Sequence, residues 1–188
     1  MNGSVDVRRE AERQEQSRVP LSILNELDHD DFSIVCGGFY EHSQWIMREA
    51  WNSRPFDSLN ALVDVCRFVV DQAGHDAQVQ LICEHPDLFG RFAREGTLTS
   101  ESMAEQSAAG FHEITADEQR AFEEFNAAYR SSFGFPFVIC ARENGKEAIL
   151  EAIRQRLEHD RKDEIRTALD EIHKIARLRM NDAVDEER

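Results

Sequence analysis

The fold class is indicated by a stretch near the end of the chain, which reads Ile165-Arg166-Thr167-Ala168-Leu169-Asp170-Glu171-Ile172-His173-Lys174-Ile175-Ala176. Its apolar residues Ile165, Leu169, Ile172 and Ala176 stand at i, i+4, i+7 and i+11. Side chains at this spacing share one face of an α-helix. The stretch therefore predicts one long helix that packs against a core through a single face.

Three earlier segments show the same helical periodicity. One follows the capping pair Asp57-Ser58, one follows the capping box Thr115-Ala116-Asp117-Glu118, and one follows Gly145. The recurring apolar positions are Leu59, Leu62, Val63, Cys66 and Val70 in the first segment, Phe122, Phe125 and Tyr129 in the second, and Ile149, Ile153 and Leu157 in the third. Helices are thus expected along most of the chain.

One segment breaks this pattern, and it reads Phe133-Gly134-Phe135-Pro136-Phe137-Val138-Ile139-Cys140. It is apolar throughout, and Gly134 and Pro136 are poor helix residues. Periodicity alone would allow a lone strand, but no second strand-like segment is found to pair with it. We therefore predict a buried extended segment near residues 133–141. Its backbone N–H and C=O groups are not used by a helix and can line a polar site.

Composition agrees with one domain. The 188 residues are 41% hydrophobic and 31% charged, which suffices for one apolar core inside a charged surface. We predict an all-α protein, a single compact helical domain over residues 19–184. Residues 1–18 are almost entirely polar and charged, and they are predicted to form a disordered tail.

Charge and targeting signals restrict the function classes. The formal net charge of −15 disfavours nucleic acid as a partner, and an anionic small molecule would need a local cation in its pocket. No apolar run reaches the ~20 residues of a membrane helix, so no membrane contact is expected. The chain has no signal-peptide core and no peroxisomal tripeptide at its end, which predicts a cytoplasmic protein. Its cysteines and histidines lack metal-ligand spacing, so no metal site is predicted.

His85 is the first residue that could carry chemistry. Proline is favoured at the first position of a helix, so Pro86 predicts a helix that begins there with His85 at its cap. The positive end of that helix would keep the imidazole neutral and able to accept a proton. The alternative is a turn or cap residue with a purely local structural role.

Two further candidates have equally local alternatives. In a helix Ser102 and Glu105 share a face and Gln106 flanks them, yet the spacing of Ser102 and Glu105 is also that of a capping box. Arg179 could offer a planar fork to a carboxylate, or it could simply complement the dipole at the end of the last helix. The residues by themselves indicate a helical domain with an anion site, and they name no reaction.

Five motifs, in order between about Leu21 and Met180, resemble those of the 2-oxo-4-hydroxy-4-carboxy-5-ureidoimidazoline (OHCU) decarboxylases. They are Glu41-His42-Ser43-Gln44-Trp45-Ile46 with Ala50-Trp51 and Arg54-Pro55-Phe56; His85-Pro86-Asp87-Leu88; Leu98-Thr99 with Glu101-Ser102, Glu105-Gln106 and Ala109-Gly110; the segment from Phe133 to Cys140; and Lys174-Ile175-Ala176 with Arg179. Phe89 departs from the pattern, since a small residue is common there.

The resemblance implies a helical fold of its own type, a homodimer, no metal or organic cofactor, and conversion of OHCU to (S)-allantoin in urate breakdown. It also implies that His85 is the catalytic proton-transfer residue and that Glu105 is essential. The substrate-binding residues that it implies are Pro86, Ser102, Met103, Ala104, Glu105, Gln106, Phe137, Val138, Ile139, Cys140, Ala141 and Arg179. Two alternatives stay open, namely an enzyme of the same fold acting on another ureido acid, and a non-catalytic helical binding module.

Overall fold

The computed structural model of the protein describes residues 18–88, 105 and 114–186. Within these ranges the chain forms eight α-helices and one pair of very short strands. The helices are α1 (Leu21–Glu26), α2 (His29–Val35), α3 (Gln44–Ala50), α4 (Leu59–Gln72), α5 (His75–Cys83), α6 (Ala116–Phe133), α7 (Lys146–Arg156) and α8 (Arg161–Ala183). The prediction of an all-α fold is confirmed.

The predicted helix starts are built by the expected caps. The Ser58 hydroxyl accepts a hydrogen bond from the backbone N–H of Ala61 at 3.1 Å, and α4 begins at the next residue. Both bonds of the capping box between Thr115 and Glu118 are present at the start of α6. These caps satisfy N–H groups that the first turn of a helix leaves without partners.

Helix α8 is the central element of the core. Its predicted stripe of Ile165, Leu169, Ile172 and Ala176 is buried, and the helix packs against α4 and α5. Helix α4 packs in turn against α3, and α6 packs against α7. Because α8 contacts several elements along its length, side chains on different turns of it can reach different parts of the molecule.

The two strands were not predicted. Strand β1 (Val19–Pro20) runs parallel to β2 (Val184–Asp185), with Val19 opposite Val184. Each strand has two residues, too few for any alternation of apolar and polar side chains to register in a sequence. The Arg18 guanidinium reinforces the pair by donating to the backbone oxygen of Val184 at 2.6 Å.

The segment after α6 is extended and buried, as predicted. Gly134 ends α6 in the left-handed conformation, with φ of 80°, which glycine adopts without steric strain. Residues 135–140 then form neither helix nor strand, and every residue from Phe135 to Ala141 is buried. The segment thus runs through the interior with its backbone outside any regular element.

A buried ion pair holds this segment in place. Arg156 donates from Nη1 to the backbone oxygen of Val138 at 2.8 Å, and its guanidinium lies 4.5 Å from the ring centroid of Phe137. Glu164 binds the same guanidinium at 2.9 Å from Nε and 2.5 Å from Nη2. Hydrogen bonds from Tyr129 and His159 complete the surroundings of the Glu164 carboxylate.

None of the described helices is both long and apolar enough to cross a membrane.

Candidate active site

One cleft gathers most of the candidate residues that the structure describes. It is an open cleft with about 380 Å³ of free space, part of which is open to solvent. Eight predicted site residues line it, together with Leu88 and Ile175, which were not predicted; the eight are His85, Pro86, Glu105, Phe137, Val138, Ile139, Ala141 and Arg179. Residues far apart in the chain therefore meet at one place.

His85 lies in this cleft, but not at the start of a helix. Helix α5 ends at Cys83, and residues 86–88 are not helical, so the prediction that a helix begins at Pro86 is wrong. Nδ1 of His85 lies 3.0 Å from the backbone oxygen of Leu81 in the last turn of α5. A carbonyl oxygen can only accept, so Nδ1 carries the proton and Nε2 of the neutral ring is an acceptor.

The imidazole of His85 is neutral because it is buried. Burial lowers the pKa of His85 from 6.5 to about 4, although the hydrogen bond to Leu81 and the negative charge of Glu41 act in the opposite direction. The sequence predicted a neutral imidazole because of a helix dipole. In the structure the imidazole is neutral because it is removed from water. A neutral imidazole with its lone pair at Nε2 is suited to accept a proton at neutral pH.

Glu105 and Arg179 form a two-pronged ion pair beside His85. Nε of Arg179 donates to Oε1 of Glu105 at 2.8 Å, and Nη2 donates to Oε2 at 2.8 Å. Arg179 thus presents the planar fork expected from the sequence, and the carboxylate bound to it is that of Glu105. The other residues predicted around Glu105 lie outside the described residues; they are Ser102, Met103, Ala104 and Gln106.

A second carboxylate, that of Glu41, also contacts Arg179. Nη1 of Arg179 donates to Oε2 of Glu41 at 2.8 Å and to the backbone oxygen of Gly38 at 3.1 Å. Burial disfavours the charged guanidinium, but the carboxylates of Glu105 and Glu41 outweigh it and raise the pKa of Arg179. The site therefore contains a permanent cation shared between two carboxylates.

Glu41 begins the first of the five motifs, but the sequence predicts no role for it. Its side chain is 2% exposed. The available signal was its place directly after Phe39-Tyr40, since a carboxylate in an apolar context is seldom fully buried without a cationic partner. Sequence spacing could not show that this partner is a residue more than a hundred positions away.

The extended segment forms the apolar wall of the cleft through Phe137, Val138, Ile139 and Ala141. No described residue accepts a hydrogen bond from the backbone N–H of Val138 or Ile139. Cys140 differs, because its N–H donates to Glu171 at 2.8 Å and its backbone oxygen accepts from Asn144 at 2.9 Å. Cys140 is also not among the residues that line the cleft.

The arrangement supplies the parts of a proton-transfer site. It contains a neutral base, a carboxylate held at both oxygens, backbone groups from an extended segment, and walls of apolar side chains. In the ranges described here, no three His, Cys, Asp or Glu side chains are grouped as metal ligands.

Comparison with known proteins identifies the family. The sequence profile of the OHCU decarboxylases matches residues 25–181. The chain belongs to the OHCU decarboxylase family. An OHCU decarboxylase of Haloferax volcanii is 39% identical over 160 residues, which are 85% of this chain and 93% of that protein. The OHCU decarboxylase of Mus musculus is 36% identical over 159 residues, or 85% of this chain and 89% of that one.

Solved structures of the family share the fold. A crystal structure of (S)-allantoin synthase superposes with a TM-score of 0.70 at 26% identity; the match covers 89% of this chain and 54% of that longer chain. A crystal structure of an OHCU decarboxylase in the presence of (S)-allantoin gives a TM-score of 0.61 at 25% identity, over 80% of this chain and 94% of that one.

Proposed function

We propose that the protein catalyses the decarboxylation of OHCU to (S)-allantoin in urate breakdown, with His85 and Glu105 as its catalytic residues. The observation that carries the proposal is the meeting of neutral His85 with the Glu105–Arg179 pair in one cleft, in a chain of the OHCU decarboxylase family. The similar proteins of Haloferax volcanii and Mus musculus are OHCU decarboxylases and support the same activity.

The substrate itself can accept the electrons of the broken bond. In OHCU the carboxylate is attached to a hydroxyl-bearing carbon next to a ring C=N bond. As CO₂ leaves, the electron pair of the C–C bond forms a new C=C bond, and the C=N electrons move to the ring nitrogen, which takes up a proton. No external electron sink is required for this step. The immediate product is an enol.

His85 is proposed to convert this enol to the ketone. Its Nε2 accepts the proton of the hydroxyl as the C=O bond forms, and the imidazolium then returns a proton to the neighbouring ring carbon on one face. The proton that the ring nitrogen takes up comes from solvent. The step suits a buried neutral imidazole, because a general base must be unprotonated before it acts. Protonation on one face gives a single enantiomer.

Glu105 is proposed to orient the hydroxyl or the ureido N–H groups of the substrate. Both of its oxygens accept hydrogen bonds from Arg179, which fixes the position of the carboxylate. Direct pairing of Arg179 with the substrate carboxylate stays a prediction, since it would require the guanidinium to share its donors with Glu105.

The rest of the substrate is proposed to contact Pro86, the extended segment, and the residues next to Glu105 in sequence. The N–H groups of Val138 and Ile139 are the most suitable backbone donors. Ser102, Met103, Ala104 and Gln106 are proposed as contacts from the family resemblance alone. Cys140 belongs to the same extended segment and is also a predicted contact, but its backbone N–H and C=O both form hydrogen bonds within the protein.

Three further properties are proposed: a homodimer and independence of any cofactor, which the resemblance implies, and location in the cytoplasm, which the sequence predicts. Light scattering on the purified protein tests the first of these, and twice the mass of one chain is the expected result. Dialysis against a chelator tests the second, with full activity expected afterwards. Loss of activity that zinc or manganese restores would contradict cofactor independence.

The proposed activity is tested by circular dichroism of freshly generated OHCU with and without the protein. Spontaneous decay gives racemic allantoin, whereas the enzyme is expected to give one enantiomer quickly. Racemic product at the uncatalysed rate would favour the non-catalytic binding module. Rapid turnover of a different ureido acid, with OHCU left to decay, would favour an enzyme of the same fold with another substrate.

A further inference from the structure

We propose that Glu41 is a positioning residue for this reaction, holding Arg179, and through it the carboxylate of Glu105, in the orientation that the substrate meets. The proposal rests on the proposed function for its kinetic readout. The contacts on which it depends are those of the structure, and they can be tested independently of any activity.

The first argument is the geometry of the guanidinium. Glu105 occupies the edge formed by Nε and Nη2, and Glu41 binds Nη1 at 2.8 Å. A guanidinium is a rigid plane with two edges that can each bind a carboxylate in the same two-pronged manner. The carboxylate of Glu41 at Nη1 favours the orientation of the guanidinium in which Nε and Nη2 point at Glu105. Glu41 therefore fixes which edge of the guanidinium faces Glu105.

The second argument is that Glu41 is itself held firmly. It lies in the turn between α2 and α3, where Gly37 leaves no room for a side chain: a Cβ there would lie 2.8 Å from the backbone oxygen of Ser33. The backbone oxygen of Gly38 accepts from the same Nη1 as Glu41 at 3.1 Å. Tyr40, the neighbour of Glu41, shares a hydrogen bond of 2.9 Å with Nδ1 of His173 on α8. The turn is thus tied to α8 at two points.

The third argument is electrostatic. His85 is faced by the charges of Glu41, Arg179 and His42, and Glu105 lines the same cleft. Asp87 is close in sequence, but its carboxylate is bound by Nε of Arg130 at 3.0 Å from both oxygens. The negative charge of Glu41 raises the pKa of His85, whereas Arg179 and His42 lower it. Removing that charge should therefore make His85 harder to protonate.

The experiment compares Glu41→Gln with Glu164→Gln, a matched control. Both positions are buried carboxylates paired with a buried arginine, but Glu164 binds Arg156 and is not among the charges that act on His85. Glu41→Gln is expected to lower kcat/KM by about 10-fold or more, mainly through kcat, because small misplacements of catalytic groups have effects of this size. It should also move the acid limb of the kcat/KM profile to lower pH. Glu164→Gln should lower the melting temperature and leave the acid limb where it is.

Glu41→Asp separates charge from position. The negative charge is kept, but the carboxylate is withdrawn by one methylene, so kcat/KM should fall while the acid limb stays in place. If Glu41→Gln fails to fold, this variant carries the test. Wild-type kcat/KM in folded Glu41→Gln or in folded Glu41→Asp would overturn the proposal. An acid limb that shifts as much in Glu164→Gln as in Glu41→Gln would overturn it too.

The proposal can fail separately from the proposed function. If the wild-type protein does not turn over OHCU, the function is wrong, and the orientation of Arg179 is then compared between crystal structures of the wild type and Glu41→Gln. An unchanged contact of Arg179 Nε and Nη2 with Glu105 in Glu41→Gln would overturn the role of Glu41. Rotation of the guanidinium, or loss of that contact, would support it.

Discussion

Arg156 and Arg179 have nearly the same chemistry and opposite surroundings. Each is a buried arginine near the end of a helix that donates to a carboxylate from both Nε and Nη2. In the Arg156 pair both donors meet one oxygen, and in the Arg179 pair each donor meets its own oxygen. The partner of Arg156 is Glu164, which is 0% exposed and closed off by Tyr129 and His159. The partner of Arg179 is Glu105, which is 13% exposed and lines the cleft. The two arginines therefore differ in whether their carboxylate partner can be reached from the cleft, and not in having such a partner.

The difference shows what each pair does. A buried ion pair contributes little net stability, because loss of hydration offsets most of its attraction. The Arg156 pair is explained by geometry, since it holds the backbone of Val138 and packs on Phe137, which are both part of the cleft wall. The Arg179 pair holds a carboxylate that a substrate can reach. One pair therefore shapes the site, and the other is proposed to work in it.

The largest expected effect is a loss of catalysis when His85, which lines the cleft with the Arg179 pair, is replaced. His85→Asn should lower kcat by ~10²–10⁴-fold, the usual contribution of a general acid–base group. His173→Asn serves as a comparison, because His173 is also buried and neutral but does not line the cleft. Its bond to Tyr40 reaches the site only through the turn of Glu41, so a much smaller loss of kcat is expected. Steady-state kinetics on folded protein measures both. A His85→Asn enzyme with more than about a tenth of wild-type kcat would place His85 among the structural residues.

The next effect belongs to the structural side. Arg156→Met leaves the carboxylate of Glu164 buried without its cation, and breaking such a pair destabilises proteins by ~3–5 kcal/mol. Urea unfolding measures the change in the free energy of unfolding. Arg120→Met is the control, because its partner Asp117 and Arg120 itself are both exposed, and exposed pairs contribute ~0–1 kcal/mol. Equal losses in the two variants would show that burial of the pair has no special weight.

The sequence predicted the elements around these arginines better than their partners. Helical periodicity located α8, and the poor helix residues Gly134 and Pro136 located the extended segment, because both signals lie within a few neighbouring residues. The contact between Glu41 and Arg179 joins residues 138 positions apart. No local pattern encodes such a pair, so Glu41 was missed although its motif was noticed.

The misplaced helix at Pro86 has a similar physical cause. Proline fits the first turn of a helix, but it fits equally well in the extended chain after one, and the local sequence does not distinguish the two. The structure has α5 ending at Cys83, with the His85 ring bonded back to Leu81. The resemblance of five motifs predicted which residues line the cleft. It did not predict their contacts, because these depend on how α8 packs against the turn between α2 and α3.

The third prediction concerns pH and the two buried histidines, His85 and His173. Burial lowers the pKa of His85 and of His173 from 6.5 to about 4. Between these two values the unfolded chain binds protons that the folded protein does not, so stability is present above pH 6.5 and falls as the pH drops toward 4. Each histidine should contribute a loss on the order of 1–3 kcal/mol across this window.

Urea unfolding at pH 7 and at pH 5 measures this loss. His173→Asn should remove about half of it, since one of the two buried histidines no longer titrates in the unfolded chain. A free energy of unfolding that is constant between the two pH values would show that both rings bind protons equally in the folded and the unfolded chain. That outcome would remove the argument that burial keeps His85 neutral.

The smallest and sharpest test replaces each arginine by lysine. Lysine keeps the positive charge but loses the planar fork, so both variants remove the paired donation from Nε and Nη2 and neither removes the cation. Arg179→Lys should lower kcat/KM by ~10-fold, equivalent to about 1.4 kcal/mol of transition-state stabilisation, because Glu105 loses one of its two fixed contacts. Arg156→Lys should change kcat/KM by less than about threefold, since Arg156 does not line the cleft and touches only its wall.

Melting temperatures of the two variants make the comparison complete. Both should fall by a few degrees, because each arginine is almost wholly buried and each lysine leaves some acceptors without donors. A shared loss of stability with a loss of kcat/KM confined to Arg179→Lys would separate the two arginines by function. Equal kinetic losses would mean that Arg156 acts on catalysis through the cleft wall as strongly as Arg179 does through Glu105. Wild-type kinetics in Arg179→Lys would show that the charge at this position suffices and its fork is structural.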